Sequence, residues 1–247
     1  MKKIDMGVSI VMLVYNEAEI IEKVVREYYD KVAVKLSNME FIIAEDGSTD
    51  GTKEILKKLE KELPVTVISG KERKGYVTAY KDSIKLPKKE FIFFTDSSGK
   101  HDPADFWKMI KYAKHFDVIS GYKVKRKDPI YRVVMTRVFN GIVNLYFGTH
   151  FKDVDSGFKL IRREAMESIL EDEWIVKELI SFEIMVRLFY RGYQIKEVPV
   201  SHKKRENGAS RGLPLKKLPK TIVQILCSFG KVKKDAKKCA VQKGATL

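Results

Sequence analysis

The chain has 247 residues, 44% hydrophobic and 33% charged, with a formal net charge of +15. That length holds one large domain, or a domain with an appendage, and ample core. Two cysteines and four scattered histidines, with no HExxH or CxxC spacing, argue against a disulfide framework and a structural zinc site and for reduced, cytosolic thiols.

The opening MKKIDMGVSIVMLV begins like a secretory signal, but Asp5 interrupts the apolar stretch and no small-residue cleavage site follows. The reading is a buried strand over 8–15, with a cleaved signal as the alternative. Residues 19–29 have helical spacing. An apolar run predicts a strand at 41–44, and a Ser/Thr/Asp cap region a helix at 50–62. A strand at 65–69, a helix at 77–84 stopped by Leu86-Pro87, and a strand at 91–95 follow. A helix is expected over 103–115, with Pro103 in its first turn, then a short strand at 118–120.

The second half is more helical. A long helix is predicted at 131–146, carrying Arg132 and Arg137. Residues 155–165 read as a turn, a strand and a helix start; 182–190 is helical and 194–200 a strand. In 221–229, Ile222, Ile225, Leu226 and Phe229 recur at i, i+3, i+4 and i+7, one apolar face flanked by lysines. Such a face packs on the body or lies in a membrane interface. Near-continuous apolar strands alternating with helices predict an α/β fold, a mostly parallel sheet covered on both sides.

Charge is unevenly placed. Residues 201–247 hold 13 Lys and Arg against Glu206 and Asp235. Such a tail suits an anionic surface, membrane or nucleic acid, or is a solvated lysine-rich segment. It lacks interleaved aromatics and any recognition motif, which sets a nucleic-acid partner aside. The division expected is a domain at 1–212 and a basic amphipathic helical tail at 213–247. No run approaches the roughly 20 apolar residues of a transmembrane helix.

Two predicted strands stop at acid, in EFIIAEDGSTDGT (40–52) and EFIFFTDSSGKHDP (90–103). Carboxylates at the C-terminal ends of buried strands stand where such sheets bind ligands. GxxxxGK[ST], GxGxxG after a strand, and GxSxG are all absent. A nucleotide would therefore be held by acidic strand ends and basic side chains.

VSIVMLVYNEAEIIEKVV, EFIIAEDGSTDGTKEIL, GYVTAYKDSI, FIFFTDSSGKHDP, DVDSGFKLIRREA and EVPV…R…GAS occur in that order. Together they resemble the family-2 glycosyltransferases of the GT-A fold, a Rossmann-like sheet flanked by helices. Within that family they are most similar to the dolichol-phosphate mannose and glucose synthase branch. The resemblance covers about residues 7–212. It implies an enzyme that moves a sugar, with inversion, from a nucleotide diphosphate sugar (GDP-mannose or a UDP-sugar) to a polyprenyl or dolichyl phosphate. It implies work at the cytosolic face of a membrane, reached through the basic tail or a membrane partner protein.

The resemblance also implies roles. Tyr15 and Glu17 match positions that hold base and ribose. Glu45 matches the first Asp of Asp-Asp-Gly-Ser and accepts from a base N–H; Asp46 either joins it or caps the next helix. Asp96 and Ser97 face the donor, and Lys123 matches an arginine that neutralises donor phosphate. Arg205 and Arg211 match a basic loop that closes over the diphosphate, where cations stabilise the leaving group. Arg126, Asp128 and Arg132 form R-x-D-x-x-x-R, a pattern that grips an acceptor phosphate, with Asp128 orienting one arginine or simply forming an ion pair. Asp153 and Ser156–Gly157 match the acceptor-side segment.

The family's Asp-x-Asp and a third oxygen ligand suit Mg or Mn. Here those positions are Asp96, Ser98 and Lys100. The expectation is a weakened or replaced metal, with the Lys100 ammonium beside Asp96 in part of its role. Asp102 either supplies the missing carboxylate or caps the next helix. A phosphate acceptor needs no general base; a hydroxyl acceptor would call on Asp153 or Asp155. A soluble enzyme with a saccharide or small-molecule acceptor, and a non-catalytic nucleotide-sugar-binding relative, are the competing readings.

Overall fold

The computed structural model describes residues 3–124, 126–176, 179–204 and 218–242, with side chains of the last stretch described over 223–238. The first half alternates as expected: β1 (Ile4–Val14), α1 (Ile21–Lys31), β2 (Leu36–Glu45), α2 (Thr52–Glu62), β3 (Thr66–Ser69), α3 (Tyr76–Ser83) and β4 (Phe91–Asp96). The remainder comprises α4 (Phe106–Met109), β5 (Val118–Val124), α5 (Ile130–Phe147), β6 (Lys159–Arg162), α6 (Arg163–Glu167), α7 (Ile180–Tyr190), β7 (Ile195–Ser201) and α8 (Leu218–Gln242).

The seven strands form one sheet in the order β3-β2-β1-β4-β6-β5-β7. All pairs are parallel except those of β6, which runs antiparallel to both neighbours. Period-two alternation divides the core. Val8, Ile10, Met12, Phe91 and Phe93 face one layer with α1, α2 and α4. Val11, Ile92 and Phe94 face the other, with α3, α5, α7 and α8. Phe93 is fully buried, its ring 4.8 Å from Phe106 and 4.9 Å from Phe158. Truncating such a residue to Ala costs about 3–5 kcal/mol.

The chain leaves β1 for β2 on one side and later returns to β4 on the other. That reversal opens a crevice at the C-terminal ends of β1 and β4. Near its floor, Gly121 lets β5 and β7 approach: a Cβ there would lie 2.8 Å from Val200 Cγ1.

Two expectations are corrected. The helix over 103–115 is broken into a 3₁₀ turn at Pro103–Asp105, the single turn α4, and a second 3₁₀ turn at Ile110–Tyr112. Bonds from Asp105 N–H to Asp102 C=O and from Ala113 N–H to Ile110 C=O tighten its ends. In α8 the inward ridge is Ile225, Phe229, Val232 and Ala236, while Leu226 is 39% exposed. Phe229 enters the groove between α5 and α7, 4.9 Å from Phe147 and 5.5 Å from Phe182. That groove, rather than local spacing, selects the face. Among the described residues no helix is long and apolar enough to cross a membrane.

Candidate active site

Register places the two acidic strand ends. Val14 pairs with Glu45 of β2, and Leu13 with Asp96 of β4. The two carboxylates therefore flank the end of β1 at nearly one level, with two strand spacings, about 10 Å, between their backbones.

On the Glu45 side, loops are pinned to one another. Asn16, at φ 52, receives its neighbours' bonds: its N–H donates to Ser48 Oγ (2.8 Å) and its Oδ1 accepts from Thr49 N–H (2.8 Å). Asn tolerates this left-handed conformation. Glu17 is buried, its N–H donating to Thr52 Oγ1 (2.9 Å). Glu45 is buried; one oxygen accepts from Ser48 N–H, and Oε2 has no hydrogen-bond partner among the described residues, with Lys53 Nζ 3.9 Å away. Asp46 does not cap α2. Its oxygens accept from Lys74 N–H (2.8 Å) and Gly75 N–H (3.0 Å), which holds the loop between β3 and α3. Arg73 of that loop lies over the Tyr15 ring at 4.2 Å. A cavity of about 150 Å³ opens here, lined in part by Glu45, Asp46, Gly70 and Lys74. Sequence reasoning missed Arg73; its signal is the basic run KERK after β3.

On the other side, the Asp96 carboxylate is 42% exposed and faces the crevice. Oδ1 accepts from Ser98 Oγ (2.6 Å) and N–H (3.0 Å), and Oδ2 lies 3.5 Å from His101 Nε2. Desolvation resists its ionisation, but His101 and the Ser98 bonds outweigh it and hold Asp96 well below the usual carboxylate range. Ser97 is buried next to it. His101 is 3% exposed, stacked on Phe158 at 4.9 Å and bridged to His202. It reads in sequence as one more scattered histidine.

Lys100, expected beside Asp96, forms its ion pair with Asp128 at 3.6 Å. Asp128 also accepts from Arg126 Nε (3.0 Å) and Nη2 (2.8 Å), an ion pair common to both readings, and His202 Nε2 lies 3.7 Å away. Burial opposes the charge on Asp128, yet Arg126 and its neighbours keep it below its ordinary value. His202 is pushed down to about 4, chiefly by burial against the pull of Asp128, so it is neutral at pH 7. Arg132 is half-buried, its Nε donating to Tyr131 Oη (3.2 Å). Asp102 caps the 3₁₀ turn through Ala104 N–H (3.1 Å) and meets Lys203 at 3.4 Å, which removes the rival in which it completes the metal position. Arg205 and Arg211 lie outside the described residues.

A third group lies between these clusters. Lys123 Nζ is 3.3 Å from Asp153 Oδ2, while Asp153 Oδ1 is buried without a hydrogen-bond partner among the described residues. Burial disfavours the Asp153 charge, but Lys123, Arg126 and Lys159 hold its pKa down. Asp155 goes the other way: burial raises its pKa, and Asp153 adds to that against Lys123 and Lys159. Lys159 is buried, its pKa lowered by burial against those carboxylates; its ammonium donates to Ser156 C=O and to Ser181 Oγ (3.2 Å). Ser156 is fully buried and accepts from Phe158 N–H (3.3 Å). Next to it, a Cβ on Gly157 would stand 3.5 Å from Asp96 Oδ2, so this turn reaches Asp96. Asn140 and Asn144 of α5 fix the loop before it through Lys152 C=O (2.6 Å) and Phe151 C=O (2.8 Å). Glu197 accepts from Asp153 N–H (3.0 Å).

At the positions expected to hold Mg or Mn, Asp96 offers one carboxylate, bonded to Ser98, and the third position is Lys100, a cation and not a ligand.

Curated relatives and solved structures bear on the site. The chain is 27% identical over 213 residues to the glycosyltransferase AglJ of Haloferax volcanii, covering 84% of this chain and 66% of that protein. It is 28% identical over 207 residues to the dolichyl-phosphate hexose transferase of the same organism, covering 80% and 83%. Against a third, the Haloferax glycosyltransferase AglD, it spans 32% of the relative's length. Among solved structures, glucosyl-3-phosphoglycerate synthase from Mycobacterium tuberculosis, in complex with Mn²⁺, UDP and phosphoglyceric acid, superposes with a TM-score of 0.70 at 18% identity, covering 91% of this chain and 79% of that one. That likeness establishes the GT-A fold. The family model described as glycosyl transferase family 2 matches residues 9–170. The chain belongs to glycosyl transferase family 2.

Proposed function

We propose that this protein transfers a sugar, with inversion, from a nucleoside diphosphate sugar to a polyprenyl or dolichyl phosphate. The observation that carries the reading is the set of cations beyond Asp96. Lys100 and Arg126 share Asp128, and Lys123 pairs with Asp153, so a phosphate arriving there finds three cationic side chains already held in place. Such a set suits an acceptor that arrives as a phosphate dianion. One relative carries the name dolichyl-phosphate hexose transferase, which agrees.

In this reading Tyr15, Glu17 and Glu45 hold base and ribose, with Asp46 positioning Arg73 over Tyr15. The separation of Glu45 from Asp96 suits a nucleoside lying across the end of β1. Asp96, Ser97 and Lys123 face the diphosphate and sugar, and Arg205 and Arg211 supply further cations for the diphosphate. Arg126 and Arg132, with Asp153 and Ser156 behind them, hold the acceptor phosphate. An acceptor oxygen forms the new bond to the anomeric carbon as the bond to the diphosphate breaks. The leaving nucleoside diphosphate takes the electron pair, and no proton has to move. The Lys100 ammonium takes part of the charge role that Mg or Mn would have at the diphosphate. If donor binding depends strongly on Mn and Lys100→Ala leaves that dependence unchanged, the idea that lysine stands in for metal fails.

A second reading has a specific support. Asp155, with its pKa raised by burial, has the poise of a general base for a hydroxyl acceptor. The experiment is a panel of GDP- and UDP-sugars offered with dolichyl phosphate, undecaprenyl phosphate and a soluble saccharide. Transfer to a polyprenyl phosphate that survives Asp155→Asn is expected. Transfer to the saccharide alone, lost in Asp155→Asn by about 10²–10⁴-fold, would replace the first reading with the second.

A further inference from the structure

Helix α5 is inside out. Its inward face carries Asn140 and Asn144, which bond the 149–154 loop, beside Val143 and Phe147. Its outward ridge is Ile130, Val134, Val138, Ile142 and Leu145, at 82%, 51%, 56%, 37% and 88% exposure. A surface helix ordinarily shows the reverse arrangement. The ridge runs at i, i+4, i+8, i+12 and i+15, about 22 Å along the helix axis. Scattered exposed apolar side chains need no explanation, but a continuous ridge of this length marks an interaction surface.

We infer that this ridge is a bilayer-docking surface for anionic lipid. The charges around it select the occupant. α5 contains Arg132 and Arg137 and no Asp or Glu. α8 lies beside it, Phe229 being 5.3 Å from Tyr146, and presents exposed Lys234, Lys237 and Lys238, while Lys231 is paired with Glu173 at 3.0 Å. The acidic residue of α8, Asp235, is bonded to Arg187. Two copies joined through this face would bring like charges together, which is costly. An anionic headgroup layer is complementary to it, with acyl chains taking the apolar ridge. Tyr131 and Tyr146, at 38% and 41% exposure, suit the headgroup level. The inference deepens the polyprenyl phosphate reading: Arg126 and Arg132 stand at the start of α5, so a lipid-borne phosphate would reach them from the plane on which the helix lies.

The test is co-sedimentation of the full chain with phosphatidylcholine vesicles, with and without phosphatidylglycerol. Wild type is compared with Val138→Glu/Leu145→Glu and with Leu145→Glu alone, whose site is so exposed that folding is spared. Melting temperature and sedimentation velocity are recorded in parallel. Wild type is expected to pellet with the phosphatidylglycerol vesicles, and the double variant to lose at least about tenfold in affinity at an unchanged melting temperature. Absence of wild-type binding, or equal binding by both variants, overturns the inference. So does a wild-type dimer that the variants dissociate without loss of vesicle binding, which would assign the ridge to a second copy. Transfer to a short, water-soluble polyprenyl phosphate separates this inference from the acceptor reading. If wild type docks through α5 yet never uses that acceptor, the acceptor reading falls and the docking surface stands.

Discussion

Two clusters of buried charge stand in this molecule, and they are wired differently. Arg187 of α7 is fully buried, and its five N–H donors meet Glu183, Asp172, Asp235 and the Glu173 carbonyl at 2.6–2.9 Å. Glu183, equally buried, also accepts from Ile175 and Val176 N–H. Arg191, also buried, joins through Asp172, while its Nε and Nη1 lack hydrogen-bond partners among the described residues. This cluster ties α7 to α8 and to the segment before it. The cluster around Asp96, Asp128 and Asp153 also has unfilled positions, Asp153 Oδ1 and His101 Nδ1 among the described residues, but these lie by the strand ends and the cluster opens to solvent at Asp96. Buried polar groups are nearly always partnered, so unfilled positions at strand ends indicate where a ligand completes the set. The first cluster holds the fold; the second is built to be finished by something else.

That contrast can be broken by mutation. Arg187→Met strands Glu183 in the core and is expected to cost about 3–5 kcal/mol. In a thermal melt that is a fall on the order of 10 °C, with transfer per folded molecule unchanged. Arg126→Ala acts in the other cluster, and Arg132→Ala at the start of α5 on the proposed acceptor side. Each removes a charged contact worth about 1.5–3 kcal/mol, so kcat/KM for a polyprenyl phosphate falls about 10- to 100-fold while donor KM holds. A rise in donor KM instead would move these arginines to the donor side.

The smallest effect is a pH dependence within the second cluster, at His202 beside Asp128. His202 titrates near 4 in the fold against 6.5 in the open chain. The unfolded chain therefore binds more protons between those values, and the stability linked to neutral His202 is lost as pH falls from about 6.5 towards 4. Urea unfolding at pH 7 and pH 5 should show a loss from this group of at most roughly 2 kcal/mol, absent in His202→Gln. Equal slopes in both proteins would show that His202 is not held neutral.

Much of the frame was legible because it is local. β1, β2 and β4 announce themselves as apolar runs that stop at acid, and Glu45 and Asp96 stand where those runs end. What escaped depends on distant partners. Antiparallel β6 is fixed by pairing Ile161 with both Ile92 and Val118, which no local period encodes. Lys100 was read against its neighbour Asp96, whereas Asp128 takes its ion pair from 28 positions along the chain. Asp46 reads either as a partner of Glu45 or as a helix cap, and in the fold it accepts instead from Lys74 and Gly75 N–H. Both faces of α5 carry apolar residues, so the pattern gives a helix without saying which ridge faces out. Asn140 and Asn144, two poor helix formers one turn apart, are the signal that was there to use.

The most direct test sets Asp96→Asn beside wild type, with sugar transfer to dolichyl phosphate and the melting temperature measured on the same samples. The account predicts transfer by wild type and a loss of about 10²- to 10³-fold in Asp96→Asn while the protein stays folded, with a melting temperature lowered but still well above the assay temperature, because His101 and Ser98 lose a charged partner. Transfer retained by Asp96→Asn, or lost only together with the fold, would contradict it.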